Sequence, residues 1–489
     1  MRIFKKSVLF VLVLLMIFSL AVSAENTTPS TSFKVFFDGV EINFPDEKPY
    51  SASADERYLY TPLRAISEAV GFDVEWDGET KTATIKKNET VATFTVGGSM
   101  FVNGEEKAAM VNFPLKNGRV FVSQYGICHA LDCTVRWDDI NRILYFCSNE
   151  KNENGIPFTQ GSIANNDNVN EAYSQFYSMA EKAFIFPGIQ EHIIPQGICY
   201  RKDKNQFIVS GCFNGKVKNM NSAIAIVDAE TGKMTAYYQL LQPGGTNHHG
   251  HMGGIAVSDK DIYFENGKKI QRISLETIDN TPSGSFLKVE ENIILTLGQS
   301  IGNDWLEISD GYLWVGNFWA TGVEKFTRLK ITDEHPFLIR GYKLDASQPN
   351  GLSAEYKVEG NEWYDYVPEI LYLVDEDKIQ GMTKVGNHII TASSLWDYDS
   401  QIQVYDISKA VDEDKKITLK EGIEIPVLHL NLEKKIATMP YIEEITECDG
   451  KLYAVYESPS IKFRKSTTLY PTDSVWKIDI EKLVAPSSK

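Results

Sequence analysis

Apolar and polar residues alternate over Phe33 to Phe37, and Asp38-Gly39 follows as a hairpin turn signal. Tyr58 to Tyr60 leads into Pro62, a residue suited to the first turn of a helix. Ala65, Ile66, Ala69 and Val70 then recur at helical spacing, with Gly71 where a C-cap belongs. Alternation returns over Asp73 to Trp76 and Thr82 to Lys86, joined by Asp77-Gly78, so this stretch reads helix, strand, turn, strand. The same pattern recurs further on. Thr61 to Asp77 (TPLRAISEAVGFDVEWD) aligns with Val122 to Asp138 (VSQYGICHALDCTVRWD), and Ala69/Ala130, Val74/Val135, Trp76/Trp137 and Asp77/Asp138 are identical. The second copy runs through Val102-Asn103-Gly104, Asn117-Gly118, a helix over Gln124 to Leu131 and a hairpin from Val135 to Phe146. A repeat is one supersecondary unit used again, so a duplicated α+β domain is predicted over 33–148.

From about Pro187 the pattern changes to short strands with hardly any helix. Apolar residues Ile198, Ile255, Leu306, Met382 and Ile445 each open a strand, and a polar turn and a second apolar strand follow. Alternating third strands come after these: Ser222-AIAIVD, Lys269-IQRIS, Lys325-FTRLK, Ser400-QIQVYD and Ser474-VWKID. Lys233 to Leu240 reads as a fourth. Four strands repeated in this way are the signature of propeller blades around a central channel. An all-β propeller is expected over 182–489, with five blades and room for a sixth in the insertion between Leu344 and Asp375. Ala183 to Pro187 is placed to close the ring against the last blade. Val169 to Phe184 has apolar residues at helical spacing and reads as a helix within a connecting segment over 149–181.

The first 24 residues stand apart from both domains. Arg2, Lys5 and Lys6 precede an apolar run from Val8 to Leu20, and Val22-Ser23-Ala24 ends it with small residues, the arrangement of a secretory signal peptide. The expected product is secreted or held at the cell surface and is not an integral membrane protein. The formal net charge is −17, and removing the leader takes away three positive charges and no negative ones. So acidic a chain repels phosphate backbones, which argues against nucleic acid as a partner. Six cysteines are too few for a disulfide scaffold. Cys133 and Cys147 flank the second hairpin and are a candidate bridge.

Candidate chemistry gathers where first strands would line the channel. Two positions before each aligned apolar residue stand Gln196, Gly253, Asp304, Gln380 and Glu443, mostly polar, as a wet channel requires. Trp305 and Trp396 join this set as candidate ligand-binding residues of the channel. Asn247 to Gly254 carries His248, His249 and His251. On an extended strand His249 and His251 point the same way. They are candidate ligands for a divalent metal with Asp304 or Glu443, candidate bases, or plain channel lining. Phe318-Trp319, Trp363-Tyr364, Tyr366, Trp396, Tyr398 and Tyr470 offer flat rings suited to stacking on sugars, or to covering blade edges. Signatures of serine hydrolases, zinc proteases and phosphate loops are absent.

TPLRAISEAVGFDVEWD, the following TKTATI, the VNG at Val102 to Gly104 and NGRVFVS at Asn117 to Ser123 resemble the copper amine oxidase N-terminal-like domain. The resemblance implies a non-catalytic stalk module of exported proteins of Gram-positive bacteria. It implies no amine oxidase activity, because the copper and quinone chemistry of that family belongs to a separate domain. The expected function is therefore an exported envelope-associated binding protein for a carbohydrate, cell-wall polymer or protein. The alternative is a propeller glycosidase or lyase using Asp304, Glu443, Glu444 or Glu457.

Overall fold

The computed structural model describes residues 32–52, 58–107, 113–148, 158–163, 169–213, 221–267, 269–295, 302–318, 337–360, 365–376, 378–418, 422–464 and 470–485. The expected leader over 1–24, the strand beginning at Lys325, and Trp319, Trp363 and Tyr364 lie outside these residues. The chain divides into two compact units, one ending at Val135 with Arg142–Asn149, the other holding Arg136–Asn141 and the rest.

In the first unit, helices Leu63–Ala69 (α1) and Gln124–Leu131 (α2) form where the apolar spacing predicts them. Gly71 has a φ of 84°, the left-handed conformation that stops α1 at little cost to glycine. Ser123 caps α2, accepting from the Gly126 amide. The strands leading into the two helices, Leu59–Pro62 and Arg119–Ser123, pair antiparallel, with the equivalent residues Thr61 and Val122 opposite one another. A hairpin follows each helix: Asp73–Asp77 with Thr82–Lys87, and Cys133–Asp138 with Ile143–Ser148. Gln124, where the second copy departs from the first, is buried, and its Oε1 accepts from the Leu59 amide at 2.8 Å. The candidate bridge does not form. All six cysteines are free thiols, and Cys133 and Cys147 are buried apolar neighbours of the sheet.

The second unit contains five sheets of at least four strands. Their first strands are Ile193–Arg201 (β1), Ile255–Val257 (β2), Trp305–Ser309 (β3), Ile379–Val385 (β4) and Ile442–Cys448 (β5). Each pairs antiparallel with the strand after it. The five first strands neighbour one another in sequence, and β5 returns to β1, so they form a closed cycle. Five apolar clusters fill the gaps between successive sheets, such as Ile208 and Ile224 against Ile255 and Phe264, and Val455 and Val475 against Ile198 and Phe207. Each sheet thus buries both faces, the arrangement that lets short strands with few helices make a core.

The expected helix over Val169 to Phe184 is shorter than its spacing suggests. A 3-10 turn at Glu171–Tyr173 and one helical turn at Ser174–Tyr177 bury Tyr173 and Phe176, after which Ala180–Ile185 is a strand. That strand pairs with Ser474–Asp479 and completes the last sheet with residues from before the first, as the segment's placement predicted. The long insertion holds a 3-10 turn at Ala354–Tyr356 and Ile370–Val374, the fourth strand of the third sheet. Among the described residues it forms no sheet of its own.

Candidate functional site

Three of the five first strands begin with the same irregularity. On β1 the pairing steps from Pro195 to Gly197, on β4 from Ile379 to Gly381, and on β5 from Ile442 to Glu444. The residues skipped are Gln196, Gln380 and Glu443, three of the polar positions picked out by the repeat. A β-bulge leaves its extra residue out of the ladder and re-aims its side chain. Here the re-aimed side chains meet. Gln196 Nε2 donates to Glu457 Oε1 at 2.6 Å, and Gln380 Nε2 donates to Glu443 Oε1 at 3.1 Å. Glu443 and Glu457 are themselves hydrogen-bonded to each other. A chain of four side chains therefore spans β1, β4, β5 and the residue just after the strand paired with β5.

Two carboxyl groups in contact cannot both ionise, so the pair holds a proton between them. Burial pushes both acids upward, and the neighbouring Glu457 raises Glu443 further. The exposed Lys462 opposes this at longer range. Cys212 stands beside the pair, its thiol pushed up to about 12 by burial and by Glu457.

At the same end of the cycle, Glu265 accepts from the Gly253 amide at 3.1 Å and from the Gly267 amide. Burial lifts it to about 7, with a smaller contribution from Asp304. Asp304 Oδ2 accepts from the Phe318 amide at 2.6 Å, yet burial still raises it. Deeper along the strands lies a second tier. Glu307 accepts from Thr383 Oγ1 at 3.0 Å and is raised to about 8 by burial. Glu444 is fully buried and leaves Oε2 without a partner.

The histidines behave differently from the strand expectation. Residues 248–254 are irregular, and Met252, with a φ of 65°, interrupts any alternation between His249 and His251. His248 is buried and satisfied: its Nδ1 accepts from the Gly250 amide at 3.1 Å, so Nε2 carries the proton donated to Gln271 Oε1 at 2.7 Å. It orders the loop. His249 is exposed. His251 lies beside Gly253, near the Asp304 backbone and Glu265. Its ring is solvent-accessible but walled by protein, and desolvation followed by Lys462 lowers its pKa. Among the described residues neither His249 nor His251 joins a set of three metal-ligating side chains. Among the described residues one such set exists elsewhere, His388, Asp406 and Glu433, where Lys409 already bridges the two carboxylates.

Trp305 does not join these groups. It is buried among Trp314, Phe337 and Tyr372, between the third and fourth sheets. Tyr366 is also core, and Tyr470 packs on Tyr173. Trp396 and Tyr398, in contrast, are 63% and 65% exposed. They follow a strand whose last residue, Ser393, pairs with Ile379 at the start of β4, so their loop stands at the same end as the β4 bulge. Sequence reasoning missed Glu457 as a partner of Gln196, and missed Glu265, Glu307 and Lys462. The available signal was an acid at the end of a second strand, as in IYFE and AVYE.

No curated protein matches the chain. Among solved structures, a glutaminyl cyclase from Myxococcus xanthus is similar at 11% identity, covering 61% of this chain and 94% of that one with a TM-score of 0.31. A PQQ-bound aldose sugar dehydrogenase from Streptomyces coelicolor is similar at 12% identity, covering 61% and 96%, with a TM-score of 0.36. A family model matches one segment: residues 36–146 match the copper amine oxidase N-terminal domain.

Proposed function

We propose that the five sheets are the blades of a five-bladed propeller and that the chain is an exported binding protein of the cell envelope. The 36–146 segment would serve as a duplicated stalk module, and the propeller recess would hold a carbohydrate. The observation that carries this reading is the convergence of Gln196, Gln380, Glu443 and Glu457 below an end that presents Trp396 and Tyr398. Amides and carboxyls arranged around exposed flat rings match a pyranose, whose hydroxyls need paired donors and acceptors and whose C–H face stacks on aromatic rings. No helix among the described residues is long and apolar enough to cross a membrane, which accords with an exported protein once its leader is removed.

A screen of the purified protein against isolated cell wall and immobilised envelope glycans tests this. Binding that falls about tenfold in the Trp396→Ala, Tyr398→Ala double variant supports it. Absence of binding to every envelope fraction would end it. The glycosidase alternative needs two carboxyls about 5–9.5 Å apart across the scissile bond. Glu443 and Glu457 are in direct contact, so that pair does not favour hydrolysis.

A further inference from the structure

The buried cluster of Gln196, Gln380, Glu443 and Glu457, the floor of the proposed recess, has more acceptors than donors. Gln196 spends its amide nitrogen on Glu457 and on its own Pro195 carbonyl, and leaves Oε1, on a side chain with no exposure, without a donor. Gln380 spends one donor on Glu443. Between them sits the carboxyl pair, which holds a proton because two buried carboxyls in contact disfavour ionising together. Lys462 does not fill that place, since its ammonium lies over the Phe463 ring, 4.3 Å from the centroid.

We propose that this floor receives a primary ammonium group, carried by an amino sugar of an envelope glycan, in the place of the proton that Glu443 and Glu457 share. The inference rests on the carbohydrate reading above and narrows it. An ammonium has three donors, and the cluster offers acceptors in Gln196 Oε1, which has no donor, and in the two carboxyls. A hydroxyl group satisfies Gln196 but leaves the carboxyl pair needing its proton. A hydrated cation is compact enough for the pair but has no use for the exposed rings of Trp396 and Tyr398, which suit a pyranose.

The exchange balances without covalent chemistry. A carboxylic acid, a carboxylate and an ammonium become two carboxylates and an ammonium, and one proton leaves to solvent. The groups facing the pair do not blur that count. Glu443 faces Glu457, Glu444 and Lys462, while Glu457 faces Gln196, Glu443 and Lys462. Cys212 keeps its proton, and desolvation with Lys462 pushes His251 toward its neutral form. Burial pushes the adjoining Glu444 toward its protonated form.

The test is calorimetric titration of the full chain at about pH 5.5, where the free amines are already ammonium groups, with the β-1,4-linked tetramers of glucosamine and of N-acetylglucosamine. Each is run in two buffers of different ionisation enthalpy, which counts protons. The glucosamine tetramer is expected to bind about tenfold tighter or better, with release of about one proton. Glu443→Gln imitates the protonated acid and keeps the fold, checked by its melting transition. It should release no proton and lose the preference between the tetramers. Equal affinity for the two tetramers, or tighter binding of the amine without proton release, overturns the inference and leaves the carbohydrate reading standing. Failure of both tetramers while another envelope glycan binds does the same. Failure of every envelope glycan removes both.

Discussion

Gly381 on β4 and Ile445 on β5 approach so closely that a Cβ added to Gly381 would stand 2.8 Å from the Ile445 amide nitrogen. The relationship recurs around the cycle. A Cβ on Gly197 would meet the Ile255 side chain at 2.8 Å, and one on Gly254 would meet the Trp305 carbonyl carbon at 2.7 Å. In each case a glycine directly before the aligned apolar residue faces the start of the next first strand. Because the obstacle at Gly381 is backbone, no rotamer change relieves it. Gly381→Ala is expected to destabilise the second unit by about 1–3 kcal/mol, read from denaturant unfolding. Gly244→Ala meets nothing within 4 Å and should leave the midpoint unchanged.

The buried acids give stability an unusual pH dependence. Glu307 is held up at about 8 and Glu265 at about 7, in both cases chiefly by burial. A carboxyl raised above its unfolded value of about 4.3 binds a proton in the folded state that the unfolded chain has released. Its contribution is therefore fully present below the unfolded value and is lost as pH rises through the folded one. Stability should fall between pH 5 and pH 8, each such group contributing a slope of up to about 1.4 kcal/mol per pH unit. Glu307→Gln should flatten the curve, with little change at pH 5 and a gain at pH 8. Chemical denaturation at both values checks this, and a wild-type protein more stable at pH 8 would contradict it.

Much of this site is legible in the sequence because the repeat aligns the first strands. Gln196, Gln380 and Glu443 share one position in the repeat, and that position is the bulge. The bulge itself was not legible, since nothing in the alternation marks one extra residue. Glu457 was invisible as the partner of Gln196 because 261 positions separate them, and only closure of the cycle brings them together. The histidine loop misled for a local reason. His249 and His251 have strand spacing, but the stretch is irregular and Met252, with a φ of 65°, leaves the extended region. Trp305 adjoins Asp304 in sequence, yet it faces the opposite way and belongs to the core between two sheets. Helical spacing over Val169 to Phe184 was genuine only as far as Tyr177, because the pairing offered by Ser474–Asp479 recruits the remainder as a strand.

The same recruitment makes the last prediction. Ala180–Ile185 is the outer strand of the fifth sheet and joins residues from before the first sheet to the end of the chain. Phe184 sits in the cluster between the fifth and first sheets, and Tyr173 and Phe176 in the one between the fourth and fifth. Each of these rings, fully buried, contributes about 1.5–3 kcal/mol. Losing three of them, together with a row of ladder hydrogen bonds, approaches the 5–15 kcal/mol that holds an ordinary domain folded. A chain beginning at residue 156 keeps this closure and should unfold in one cooperative transition. A chain beginning at Pro187 leaves Ser474–Asp479 as an unpaired edge, a template for association with other chains. It is expected to aggregate or to lack a cooperative transition, measured by size-exclusion chromatography and calorimetry on the two chains. A monomeric Pro187 chain with an undiminished melting temperature would show that the cycle holds without its closing strand.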